Sequence, residues 1–145
     1  MKIIFVCHGN ICRSPAAEVI FKSMLKEEDN IDVVSLATSM EEIGNDIYPP
    51  MKRVLLSHGY DLERHYAARI TASDLDSADY VFYMDNNNLY YLERLFGSSP
   101  KFHLISCFSD NKEVEDPWYT DRFEYVYQSI KKYCEEIYKK VTIKW

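Results

Sequence analysis

Apolar and polar positions along the chain fall into short blocks that switch between two periods. Ile3, Ile4, Phe5 and Val6 make a continuous β-branched and aromatic run, so Lys2–Val6 is predicted as a buried strand. The polar segment Cys7–Arg13 follows, and Ser14-Pro15 looks like a helix start with Pro early in the first turn. Ala17, Phe21, Met24 and Leu25 recur at helical spacing and carry that helix to about Glu28. Ile31–Ala37 reads as a second strand, and Pro50–His58 as a helix stopped by Gly59. Ser73–Ser77 is a candidate short helix. Tyr80–Met84 is a third strand, Asn86–Phe96 a helix ended by Gly97, and Phe102–Ile105 a fourth strand. A last helix is predicted after Pro117. In it Phe123, Tyr127, Ile130, Cys134, Ile137 and Val141 alternate steps of four and three and form one apolar seam. Strands alternating with helices imply an α/β fold, here a four-stranded parallel sheet with helices on both faces.

The 145 residues suit one domain spanning 1–145, and no repeat or linker divides them. Apolar residues make up 47% and charged residues 28%, the balance of an ordinary globular chain. The net charge of -6 argues against nucleic acid as a partner. It does not forbid a small anion site, because backbone N–H groups bind anions without net positive charge. Four cysteines in a chain large enough to bury a core do not suggest a disulfide scaffold. Ile3–Cys7 is too short for a signal peptide or a span, so no membrane partner is expected and the expected location is the cytoplasm. A monomer is expected, with a weak dimer as the alternative.

The candidate chemistry lies in the first loop. Five residues, His8, Gly9, Asn10, Ile11 and Cys12, separate Cys7 from Arg13. A loop of this length can curl around a phosphate with successive N–H groups pointing inward. Gly9 and Asn10 tolerate the positive φ angles such a nest needs. The helix that follows adds its positive N-terminal end. Arg13 can clamp two phosphate oxygens through its planar fork. The same fields favour a thiolate, so a depressed Cys7 pKa is expected, with Cys7 attacking phosphorus as the nucleophile. A Cys-x5-Arg spacing alone arises by chance. Its place between a buried strand and a helix start is what makes it informative.

Val6-Cys7-His8-Gly9-Asn10-Ile11-Cys12-Arg13-Ser14-Pro15 resembles the signature of the low-molecular-weight protein tyrosine phosphatases. Ala37-Thr38-Ser39, Ile43-Gly44, His58-Gly59, His65-Tyr66-Ala67-Ala68, Met84-Asp85 and Asp116-Pro117-Trp118-Tyr119 follow in the family's order. The resemblance implies hydrolysis of phosphotyrosine, in a protein or a small aryl phosphate, through a cysteinyl-phosphate intermediate. No cofactor is expected, and no metal, because no His/Asp cluster stands at ligand spacing. It implies Asp116 as general acid and base, beside a Pro that fixes the backbone. From the residues alone, Asp116 is equally an Asx turn capping the last helix. Ser14 is implied to hydrogen-bond the thiolate, although a hydroxyl there could be only a helix cap. Asn10 is implied to hold the loop through a polar network that includes His65, with Glu18 as that histidine's acidic partner. Without the resemblance, His65 would read as a surface histidine. Trp118 and Tyr119 are implied as walls of a slot for a phenyl ring, and packing of the helix start is the alternative. Cys12 could pair with Cys7 as a protective disulfide or be a small packing residue.

Two positions depart from the family. Arg69 stands one residue later than the family's Arg after His65-Tyr66-Ala67, so no role is carried to it. Glu41 stands where the family places an aromatic wall, and a carboxylate cannot stack on a phenyl ring. A more open slot that disfavours acidic phosphopeptides is expected. Alternatively Glu41 points into water and Tyr48 fills the gap. An arsenate reductase on the same fold would need two further cysteines after the third strand, and Asp85–Phe96 holds none. A phosphoarginine phosphatase carries Thr where Ile11 stands. A phosphate-binding module would need neither thiol nor acid.

Overall fold

The computed structural model describes residues 1–143; the last two residues of the expected domain lie outside them. Four strands, β1 (Lys2–Cys7), β2 (Asp32–Ala37), β3 (Tyr80–Tyr83) and β4 (Phe102–Leu104), form one sheet in the order β2-β1-β3-β4. Every pairing is parallel, with Val6 opposite Leu36 on one side and Tyr83 on the other. The helices are α1 (Arg13–Met24), α2 (Pro49–Ser57), α3 (Ala72–Ser77), α4 (Asn86–Phe96), α5 (Pro117–Thr120) and α6 (Phe123–Val141).

β1 is apolar throughout because both of its faces are covered. Ile3, Phe5 and Cys7 join the larger core with Ala17, Ile20 and Phe21 of α1 and Ile130, Cys134 and Ile137 of α6. Ile4 and Val6 point the other way, onto Val81 and Leu92 of the smaller core. The period-two alternation of a strand therefore feeds two helical layers. The seam of α6 lies against α1 as its spacing requires, and Val126 and Tyr133 extend it. Truncating a fully buried member such as Ile130 to Ala would cost about 2–5 kcal/mol.

Two helices differ from expectation. α1 stops at Met24 rather than Glu28, because Leu25 turns to extended backbone at ψ 139°. A 3₁₀ turn over Glu27–Asp29 takes up the remaining residues. The expected last helix is two. Asp121 adopts left-handed backbone at φ +62° and separates the short α5 from α6. α2 and α4 end as their glycines imply, with Gly59 and Gly97 at φ +88° and +78°, a region open to glycine at little cost.

In the order β2-β1-β3-β4 the sheet is built outward from β1 in both directions, so the winding reverses between β1 and β3. A parallel sheet leaves a crevice at that switch point, beyond the carboxyl ends of the strands. The loop after β1 and Asp85, two residues past β3, meet there.

Candidate active site

Cys7 ends β1 and the loop 8–12 leads into α1. Its carbonyls are tied from outside. Thr38 N donates to Cys7 O at 3.0 Å, and Ser39 N and Oγ to His8 O at 3.1 and 2.9 Å. Tyr48 N donates to Ile11 O at 2.7 Å, and His65 Nε2 bonds Asn10 O at 2.6 Å. The N–H groups of residues 9–12 have no protein acceptor among the described residues. With its carbonyls turned outward, the loop presents its N–H groups on the inside, which is an anion nest. α1 opens at Cys12 without a side-chain cap, so its positive end adds to the same field.

Asn10 sets the shape of the loop. It sits at φ +59° and is fully buried. Its Oδ1 accepts from Ala68 N at 3.2 Å, and its Nδ2 donates to Ser14 Oγ and Ser35 Oγ at 2.9 and 3.0 Å. Three side-chain bonds, two of them long-range, thus hold a left-handed conformation that Asn tolerates better than most residues. Gly9 does not share the positive φ expected of it. Its lack of a side chain serves close approach instead: a Cβ there would stand 3.1 Å from Glu42 Cγ.

Ser14 is not a cap. It lies in the first turn of α1, fully buried, with Oγ 3.0 Å from Cys7 Sγ and its own N–H 3.4 Å from the same sulfur. Asn10 Nδ2 occupies a lone pair of Ser14 Oγ, which leaves the hydroxyl proton for an acceptor. A thiolate is a better acceptor than the more distant Leu36 carbonyl at 3.5 Å. Glu18 is joined to this network differently from expectation. It accepts from Ser35 Oγ at 2.6 Å and from Lys22, not from His65. Ser35 on β2 lies between Glu18 and Asn10, so the carboxylate acts on Asn10 through a hydroxyl. His65 is itself placed by Asp46 Oδ1, which accepts from its backbone N–H at 3.0 Å.

Arg13 is buried, and Asp85 fixes it. Nη1 donates to Asp85 Oδ2 at 2.6 Å and to Val114 O at 3.0 Å, while Nη2 lies 3.6 Å from Asp116 Oδ2. Burial by itself would lower the Arg13 pKa. The charge Cys7 carries as a thiolate and the Asp85 and Asp116 carboxylates outweigh it and raise the pKa. Asp85 is the residue that sequence reasoning passed over. Its other oxygen caps α4 by accepting from Asn88 N at 2.9 Å. The D-x-x-N cap spacing just after a strand next to β1 was the available signal.

Asp116 is a helix cap and also reaches the cleft. Oδ1 accepts from Trp118 N at 3.0 Å and caps α5, while Oδ2 faces Arg13 at the cleft. Cys12 lines the cleft with Cys7 as a free thiol. Burial first, and the charge on Cys7 second, push its pKa well above the ordinary thiol value. Cys134 is buried in the core, with Sγ 3.8 Å from Ala17 O.

These groups line a cleft of about 300 Å³. Its floor is the loop, with His8, Ile11 and Cys12 around Cys7 and Arg13. Tyr48, Trp118, Tyr119 and Phe123 form one side. Tyr48 packs at 5.1 Å on the Trp118 ring and 5.9 Å on Phe123, so it is part of the aromatic wall. Trp118 and Tyr119 remain largely exposed at the mouth and do not pack a helix start. Glu41 and Glu42 also line the cleft. No group of three metal-ligating side chains occurs among the described residues. The arrangement combines an anion nest, a nucleophile with donors aimed at it, a fixed guanidinium and a carboxyl at the rim, which are the parts of acid-assisted nucleophilic displacement at phosphorus.

Comparison with known proteins agrees. The profile of the family described as low molecular weight phosphotyrosine protein phosphatase matches residues 2–144. The rat protein of that name is 36% identical, over 95% of this chain and 94% of its own. The Bacillus subtilis low molecular weight protein-tyrosine-phosphatase YfkJ is 34% identical, over 94% and 93%. The crystal structure of YfkJ superposes with a TM-score of 0.91, covering 97% of this chain and 94% of that one at 30% identity. The Streptococcus pyogenes low molecular weight protein tyrosine phosphatase gives 0.87, covering 99% and 93% at 33% identity. From its first-loop signature to its sheet order and cleft, this chain belongs to the low molecular weight phosphotyrosine protein phosphatase family.

Proposed function

We propose that the chain hydrolyses phosphotyrosine and related aryl phosphate monoesters through a phosphorylated Cys7. The observation that carries this reading is the convergence at one cleft of Cys7 Sγ, the inward N–H groups of its loop and the Arg13 guanidinium held by Asp85. An aromatic wall stands beside them. The loop amides and Arg13 bind the phosphate oxygens and carry the charge that grows on them in the transition state. Cys7 Sγ attacks phosphorus, the P–O bond to the ring breaks, and Asp116 gives its proton to the leaving phenolate. Asp116, now a carboxylate, takes a proton from water as the water oxygen attacks phosphorus. The S–P bond then breaks, inorganic phosphate leaves, and Cys7 returns as a thiolate with the Ser14 hydroxyl donating to it.

Ile11, Tyr48 and Trp118 give the cleft an apolar side that fits a flat ring, which favours an aryl ester over a phosphoguanidine. The four free thiols suit a reducing compartment such as the cytoplasm. No helix among the described residues is long and apolar enough to cross a membrane.

The test is phosphate release from p-nitrophenyl phosphate and from matched phosphotyrosine, phosphoserine and phosphoarginine peptides. Acid quench of the working enzyme should trap a phosphocysteine that Cys7→Ser does not form. Turnover by Cys7→Ser, or preference for phosphoarginine, would overturn the reading.

A further inference from the structure

The cleft lining is of two kinds, aromatic and acidic, and the difference bears on substrate choice. The aromatic part has Tyr48 and Trp118 in contact at 5.1 Å. The acidic part carries Glu41, whose carboxylate meets His8 Nε2 at 3.0 Å. His8 belongs to the phosphate loop, and its ring lies 6.1 Å from that of Tyr91 on α4. Glu41 is thereby fixed at the mouth although its side chain is 68% exposed. This contact orients the Glu41 carboxylate at the mouth of the cleft. Glu42 beside it is engaged elsewhere, bonding Asn45 Nδ2 at 2.6 Å with its stem against Gly9. The lining holds no Lys, and its one Arg, Arg13, is buried on Asp85 at the floor.

A phosphotyrosine ring seated on the aromatic side, with its phosphate in the nest, brings the residues flanking the tyrosine to the mouth. There they meet a held carboxylate, and the cleft lining holds no Lys to offset it. Acidic neighbours are repelled and a Lys or Arg neighbour is attracted. We propose that Glu41, oriented by His8, is a specificity-determining residue that selects phosphotyrosine flanked by basic side chains. This rests on the phosphatase reading above.

The experiment measures kcat/KM at low salt for two peptides of equal length, one with Arg and one with Glu on both sides of phosphotyrosine. p-Nitrophenyl phosphate, which has no flanking residues, is measured alongside. Wild type should favour the Arg peptide by about fivefold, the scale of one exposed ion pair, and the preference should shrink as salt is added. Glu41→Gln keeps a hydrogen-bonding side chain and should bring the ratio near one, and Glu41→Lys should invert it. Equal ratios in all three proteins, with p-nitrophenyl phosphate still hydrolysed, would overturn this inference alone. No hydrolysis of p-nitrophenyl phosphate by wild type would overturn the phosphatase reading and this inference with it.

Discussion

Asp85 Oδ2 accepts a hydrogen bond from Arg13 Nη1 at 2.6 Å, across 72 positions of sequence. The guanidinium can present only one fork geometry to a phosphate if its other edge is held, and Asp85 and Val114 O hold it. Asp85→Asn keeps a residue able to cap α4 but removes the charge. Loss of one charge-assisted bond predicts a fall of about 10- to 100-fold in kcat/KM for p-nitrophenyl phosphate, with the helix retained by circular dichroism. Arg13→Lys should be worse, because a point charge cannot replace the fork. Wild-type kinetics in Asp85→Asn would show that Arg13 needs no such partner.

Asp116 sits at the rim between Arg13 and Trp118. Its removal should matter in proportion to how badly the leaving group needs a proton. Asp116→Asn should slow phenyl phosphate by about 10²–10⁴-fold and p-nitrophenyl phosphate far less. A leaving-group series measured by phosphate release checks this. A uniform loss across the series would remove Asp116 as the acid.

Cys7 and Cys12 line the same cleft as free thiols. Peroxide should convert the Cys7 thiolate to a sulfenic acid with release of water. Cys12 should then condense with it, releasing a second water and forming a disulfide. Because burial raises the Cys12 pKa, this second step should quicken as pH rises. Peptide mapping after mild oxidation should find the two joined and dithiothreitol should restore activity. Cys7 recovered as sulfinic acid beside a free Cys12 would count against the pairing.

Asp46 links stability to the site. The hydrogen bond from Lys52 at 2.7 Å, chiefly, and the backbone N–H groups of His65 and Ile47 hold its pKa well below the carboxylate range, against an opposing effect of burial. A depressed folded-state pKa adds stability that is fully present above the unfolded value, about 3.9. That stability is lost as pH falls below this value toward the folded one. Asp46→Asn should therefore be less stable than wild type to urea at pH 7, and the gap should narrow at strongly acidic pH. A gap that does not change with pH would mean the bonds matter without the charge.

The elements and the loop were legible because they rest on short-range regularities. A run such as Ile3–Val6, the four-and-three seam of α6 and the glycines after α2 and α4 each declare themselves within one element. Cys7, Arg13 and Ser14 lie within eight consecutive residues, so their spacing alone places them on one loop and helix end. The remaining parts of the cleft were decided by the sheet. Asp85 reaches Arg13 because β3 lies beside β1 at the switch point, which no local pattern states. Tyr48 joins Trp118 because its N–H ties the loop at Ile11, and Glu18 meets Ser35 rather than His65 because β2 places Ser35 between Glu18 and Asn10. The left-handed turn at Asp121 that separates α5 from α6 was hidden because an aspartate tolerates that conformation without announcing it. Local periodicity follows from backbone geometry and is written in neighbouring residues. Partners far apart in sequence, such as Arg13 and Asp85, are chosen only when strand order and packing bring them together.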